Sequence, residues 1–169
     1  MQIGPHFLRI TDIQNGQINW ANVPYCEVEE KDVKKYKIEN YDIFIARTGA
    51  STGENVLTIN PPNAVFASYL IRIQFTYPQL AVYVGKLLRT RQYFEFIDSI
   101  KSGSAQPNAN AQELTGFDIV LPPLDVLDNY FRIVVELENI KAEYQAQFST
   151  LAALRNELLP KLMSGEIEV

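Results

Sequence analysis

Two polar loops carry the residue types best suited to chemistry in this chain. The first, Arg47-Thr48-Gly49-Ala50-Ser51-Thr52-Gly53, puts one guanidinium, three hydroxyls and two glycines into seven residues. Arg47, Thr48, Ser51 and Thr52 are its candidate donors to phosphate oxygens or base edges. The second, Lys101-Ser102-Gly103-Ser104-Ala105-Gln106-Pro107-Asn108-Ala109-Asn110, is uncharged after Lys101. It offers Ser104, Gln106, Asn108 and Asn110, and an amide side chain suits adenine, whose major-groove edge presents one acceptor and one donor. Both loops also read as ordinary turn chemistry, in which Ser, Thr and Asn bond their own backbone, and composition alone favours that reading.

Other chemistries lack their parts. Cys26 is the single thiol and His6 the single imidazole, so an internal disulfide is excluded and the usual four-ligand zinc set cannot be assembled from this chain. A nucleophile paired with His6 is poorly supported, because His6 lies in a terminus. Asn60-Pro61-Pro62-Asn63 has the outline of the catalytic motif of amino-methylating DNA methyltransferases, but Asn63 stands where that motif needs an aromatic ring to stack on a flipped base. A tight turn between two strands is the better reading. Gly49 to Glu54 is too compact for a phosphate-cradling loop, and no Lys follows its second glycine. The expectation is a non-catalytic chain with no cofactor and no metal.

The elements that must position the loops follow from periodicity. Phe7–Ile13 alternates, with Leu8 and Ile10 on one side and Arg9 and Thr11 on the other, as a strand with one wet face would, and Asn15-Gly16 then turns the chain. Tyr41–Arg47, Asn55–Ile59, Tyr69–Gln74 and Phe117–Leu121 are further strand candidates. Apolar residues recur at three to four residues through 78–101, which predicts one helix or two joined near Thr90. The expected class is mixed α/β. With 169 residues, 47% hydrophobic and 21% charged, the chain can build one core plus an appendage. It has no run of 18 apolar residues and no secretory signal at its start, so a soluble, cytoplasmic protein without a membrane partner is expected.

The formal net charge of −5 argues at first against a polyanionic partner. Its distribution removes the objection. Residues 1–116 carry 11 basic and 11 acidic side chains, and residues 117–169 carry 4 and 9, so the whole excess is at one end.

That end begins at Pro122-Pro123, which predicts a boundary between a domain of residues 1–121 and an appendage of residues 122–169. From Leu124 to Leu159 there is neither Gly nor Pro, and apolar residues fall at Leu127, Phe131, Val134, Leu137, Ile140, Tyr144, Phe148, Leu151, Leu154, Leu158 and Leu162. Their mean spacing of 3.5 residues is that of a seam facing another helix. Roughly 38 residues at ~1.5 Å each give a rod of ~57 Å, which outreaches a globule whose radius of gyration is ~14 Å. The competing reading folds the helix back to complete the core of residues 1–121. Glu136, Glu138, Glu143 and Glu157 lie off the stripe and read as a solvated face.

Six blocks, taken in order, carry a family resemblance: Phe7-Leu8-Arg9-Ile10-Thr11-Asp12-Ile13-Gln14-Asn15-Gly16; Asp42-Ile43-Phe44-Ile45-Ala46-Arg47-Thr48-Gly49-Ala50; Ala67-Ser68-Tyr69-Leu70-Ile71-Arg72-Ile73; Gly103-Ser104-Ala105-Gln106-Pro107-Asn108; Leu121-Pro122-Pro123-Leu124; and Leu158-Leu159-Pro160-Lys161-Leu162-Met163-Ser164-Gly165-Glu166-Ile167. Together they resemble the DNA specificity subunit of type I restriction-modification enzymes. The resemblance implies an α/β target recognition domain followed by a long spacer helix. A complete family subunit has two such units, with antiparallel helices that dock methyltransferase subunits and let two domains read the halves of a split DNA site. One domain, one helix and an abrupt start imply a half-length or truncated version.

On this resemblance the partners are double-stranded DNA, methyltransferase subunits, the restriction subunit and a second copy of the chain through the C-terminal helix. The matching DNA-binding candidates are Arg9, Thr11, Arg47, Thr48, Ser51, Thr52, Lys101, Ser104, Gln106 and Asn108. The eleven stripe residues are the candidate partner-binding set. Family motifs also serve as scaffold, so Gln17–Asn40, with Lys31, Lys34, Lys35 and Lys37, is an alternative surface. A protein-binding adaptor that keeps the fold without reading DNA is the alternative function.

Overall fold

The structure is a computed structural model that describes residues 4–101 and 110–167. It divides into two compact units, Met1–Phe131 and Arg132–Val169. In the first, β1 (His6–Leu8) pairs in parallel with β6 (Ala64–Phe66), and a hairpin is formed by β2 (Ile13–Gln14) and β3 (Gln17–Ile18). An antiparallel sheet runs in the order β5 (Asn55–Leu57), β4 (Ile43–Ala46), β7 (Leu70–Ile73). The helices of this unit are α1 (Glu30–Tyr36), α2 (Pro78–Leu87), α3 (Arg91–Lys101) and α4 (Ala111–Thr115), followed by the start of α5 (Leu124–Met163).

β4 organises the core. All four of its residues are buried, which an uninterrupted apolar run in mid-sheet demands. Because side chains alternate, Phe44 and Ala46 enter one cluster with Leu8, Ile13, Ile38 and Leu70, while Ile43 and Ile45 enter another with Val84, Leu88, Tyr93, Ile97 and Leu114. Helices α2 and α3 cover the second face. Tyr93 is fully buried there, its phenol pushed up by burial, with its hydroxyl 3.3 Å from the Leu114 carbonyl.

The pattern at Phe7–Ile13 does not make one strand. β1 stops at Leu8, and residues Ile10–Asp12 form a 3-10 turn. The Asp12 carboxylate accepts the Arg9 backbone N–H at 2.9 Å and the Arg9 guanidinium at 2.8 and 3.0 Å, and this local capture outweighs the alternation. Phe117–Leu121 is likewise not a strand. Phe117 packs on Tyr93 and Phe96, and the Val120 carbonyl accepts the Tyr83 hydroxyl, but among the described residues the segment joins no ladder. The short elements β3, β6, α1 and α4 carry too few residues for a period to show. Two further element expectations agree: two helices meet around Thr90, and Asn15-Gly16 turns with both residues at positive φ.

The second unit consists of the rest of α5 and its stop. The Glu166 N–H bonds the Lys161 carbonyl and the Gly165 N–H bonds the Leu162 carbonyl, with Gly165 at φ +74°. This is a glycine-terminated helix end, and it places Pro160 inside the last turns of the helix.

Candidate nucleic-acid interface

The strand ends bring sequence-distant polar residues to one edge of the first unit. β1 and β6 run in parallel and finish together, with the Ala67 N–H bonding the Leu8 carbonyl at 2.9 Å. Arg9 and Thr11 therefore emerge beside the turn 67–69. That turn closes with Leu70 N–H on the Ala67 carbonyl, and its Tyr69 carbonyl accepts the Arg47 N–H at 3.2 Å. The loop 47–53 leaves β4 from the same edge. It returns through Gly53, whose N–H bonds the Ala46 carbonyl. A Cβ at Gly53 would lie 2.5 Å from Ile97 Cγ2, so a glycine here is what lets the loop lie against α3. Lys101 ends α3 one turn beyond Ile97.

The candidate residues divide by what they already hold. Arg47 and Ser51 are exposed and Thr48 is half-buried, and Arg47 takes no ion pair among the described residues. Thr11 is exposed. Arg9 is half exposed but occupied by Asp12. Thr52 is buried, with its hydroxyl on the Gly49 carbonyl at 2.8 Å, which is the turn chemistry described above. Lys101 lies 3.7 Å from Asp98. Ser104, Gln106 and Asn108 lie outside the described residues.

Sequence reasoning missed two contributors. The hairpin β2–β3 is tied to this edge because Glu54 Oε1 accepts the Gly16 N–H at 3.0 Å and Arg89 Nη1 at 2.8 Å. The turn 67–69 links the two candidate segments, and Tyr69 on it is 57% exposed. Gly16 and Tyr69 fall within the resemblance blocks, but nothing in the sequence sets them apart as edge residues, since that depends on which strands are neighbours. The lysine-rich stretch also leads toward the edge: Lys37 bridges Val65 in antiparallel sense and Tyr36 packs edge-on to Phe66. Lys34 and Lys35 are exposed, whereas Lys31 and Lys37 sit within reach of Glu29 and Glu39.

The apolar stripe of α5 also divides. Leu127 is buried, and Phe131 meets the Tyr41 ring edge-on at 5.6 Å, so both serve the core of the first unit; Val134 is half-buried. From Leu137 to Leu162 the remaining eight positions are 39–75% exposed. Val126 and Ile133 are exposed as well, and they precede Ile140 by two heptads and one, so the exposed ridge extends through them rather than through Leu127.

No family model matches the chain. Among curated proteins, it is 27% identical over 155 residues to the type I restriction enzyme MjaIX specificity subunit of Methanocaldococcus jannaschii, covering 84% of this chain and 33% of that protein. It is 20% identical over 175 residues to the EcoKI specificity subunit of Escherichia coli, covering 98% of this chain and 38% of that protein. The StySPI specificity subunit of Salmonella potsdam matches at 23% over 172 residues, or 95% of this chain and 37% of that protein. The chain resembles type I restriction specificity subunits. It spans about a third of the length of the specificity subunits it matches.

The resemblance to specificity subunits agrees with the mixed α/β architecture and the long C-terminal helix. Among the described residues no group of His, Cys, Asp and Glu could hold a metal ion, and no helix is long and apolar enough to cross a membrane.

Proposed function

We propose that this chain is a non-catalytic DNA-reading and assembly unit of a type I restriction-modification system. Residues 1–121 contact one half of a bipartite target, with basic groups on phosphates and polar side chains on base edges. The helix docks methyltransferase subunits and pairs with a second copy through a self-complementary ridge. The observation that supports the DNA reading most directly is the shared edge, where the segment that carries Arg9 and Thr11 and the loop that carries Arg47, Thr48 and Ser51 both border the turn 67–69. The exposed ridge from Leu137 to Leu162 supports the pairing. The deciding experiment maps methylated bases in DNA from cells that carry this chain with its methyltransferase. A defined split motif is the expected result, palindromic if two copies assemble; modification without sequence preference rejects the reading.

The adaptor reading is favoured by one feature. Arg9 is neutralised by Asp12 and Thr52 is spent on its own loop, so part of the candidate edge is committed to scaffold. In that case the helix still recruits the methyltransferase, and the choice of modified sequence does not change when Arg47 is replaced.

A further inference from the structure

We infer that Tyr69 reads a thymine, packing its ring on the C5-methyl group in the major groove. This rests on the DNA-reading role proposed above and adds to it a residue and a base.

Tyr69 occupies the centre of the edge, on the turn between β6 and β7: its own carbonyl holds the Arg47 N–H, and Ala67, two residues before it, holds the Leu8 carbonyl ahead of Arg9. Its neighbour Leu70 is 4% exposed and anchors the start of β7, so the turn is rigid where Tyr69 leaves it. Tyr69 itself is 57% exposed. The exposed Tyr25, by contrast, stacks on His6 at 4.1 Å. Among the described residues the Tyr69 ring has no aromatic or cationic partner.

Chemistry narrows the ligand. The flanking candidates Arg9, Thr11, Arg47, Thr48 and Ser51 all offer polar groups, which suit phosphates and the hydrogen-bonding edges of bases. An aromatic ring among them needs an apolar surface, and the thymine methyl is the apolar group that a base pair displays in the major groove. A tyrosine also gives a large contact area for few rotatable bonds, while its hydroxyl stays wet. Arg47, one backbone hydrogen bond away, then reaches a phosphate or a guanine beside that thymine.

The test uses the full chain with its methyltransferase and a duplex carrying the methylated motif found by sequencing. Each thymine of the half-site is replaced in turn by uracil, which removes only the methyl group. One replacement is expected to weaken wild-type binding about fourfold, the effect of one buried methyl-sized group. Tyr69→Ala is expected to bind about tenfold more weakly and to lose that uracil effect, whereas Tyr69→Phe keeps it. The inference is overturned if no thymine responds, if the half-site contains none, or if Tyr69→Ala responds to uracil as the wild type does. A wild type that modifies no defined motif overturns the DNA-reading role itself, and the inference with it; a defined motif with an indifferent Tyr69 overturns the inference alone. Equal melting temperatures of the three proteins show that the effect arises at the contact.

Discussion

Arg89 and Glu54 are joined at 2.8 Å, and the same carboxylate oxygen holds the Gly16 N–H at 3.0 Å. Three segments meet in this pair: the corner between α2 and α3, the start of β5, and the hairpin β2–β3. Arg89 also donates to the Asn55 carbonyl and lies over the Phe94 ring. Glu54→Ala should cost about 1–2 kcal/mol, since the pair is only partly exposed and its loss strips the Gly16 N–H of its acceptor. Chemical denaturation checks the value, and hydrogen exchange should show the hairpin amides losing protection first.

Gly53 and Gly49 share a loop and a positive φ, but their surroundings differ. A side chain at Gly49 meets nothing within 4 Å, while one at Gly53 collides with Ile97. Gly49→Ala should cost about 1 kcal/mol, from backbone strain alone, and Gly53→Ala about 1–3 kcal/mol more, because the packing of α3 must shift. Thermal unfolding of the two variants should rank them in that order; equal destabilisation would remove the close approach from the explanation.

Arg47 should reveal itself through salt. If it meets a phosphate, Arg47→Gln lowers the slope of log Kd against log salt by about 1 and leaves the melting temperature unchanged. Thr52→Val is the internal control. It removes a hydrogen bond inside the loop at a buried site, so it should reduce stability by about 1 kcal/mol without changing the salt slope.

The ridge of α5 should control association and nothing else. Phe148 and Leu151 are 75% and 64% exposed, so Phe148→Asp and Leu151→Asp disturb no core. Sedimentation should then show a dimer reduced to a monomer, with the melting of the first unit unchanged. Leu127→Asp should do the reverse and unfold that unit, because Leu127 is 2% exposed.

What the sequence made legible were the features with many repeats. The long helix shows eleven apolar residues at one spacing, and β4 an unbroken apolar run between polar neighbours, so the element type is over-determined in both. Arg9 illustrates the opposite case. Its alternating neighbours favour a strand, and one carboxylate three residues later wins locally, which no window average registers. For the candidate interface, residue types do not separate the exposed Arg47 and Ser51 from the buried Thr52, because a threonine's hydroxyl serves its own turn as readily as a ligand. Tyr69 shows in the sequence as a strand start and a block residue, and its place on this edge follows only from β1 and β6 ending together.

The bond between Arg9 and Asp12 bears on how tightly such an edge could hold a polyelectrolyte. A lysine or arginine that meets a phosphate from open solution frees the small cations condensed there, and that release is the entropic driving force of binding. Arg9 arrives with an anion tethered three residues away, and bringing it to a phosphate crowds two negative groups around one guanidinium. On the proposed DNA-reading role, its contribution would be orientation more than adhesion, and grip on the sugar-phosphate backbone would fall to cations without such a tether, among them Arg47 and Lys34.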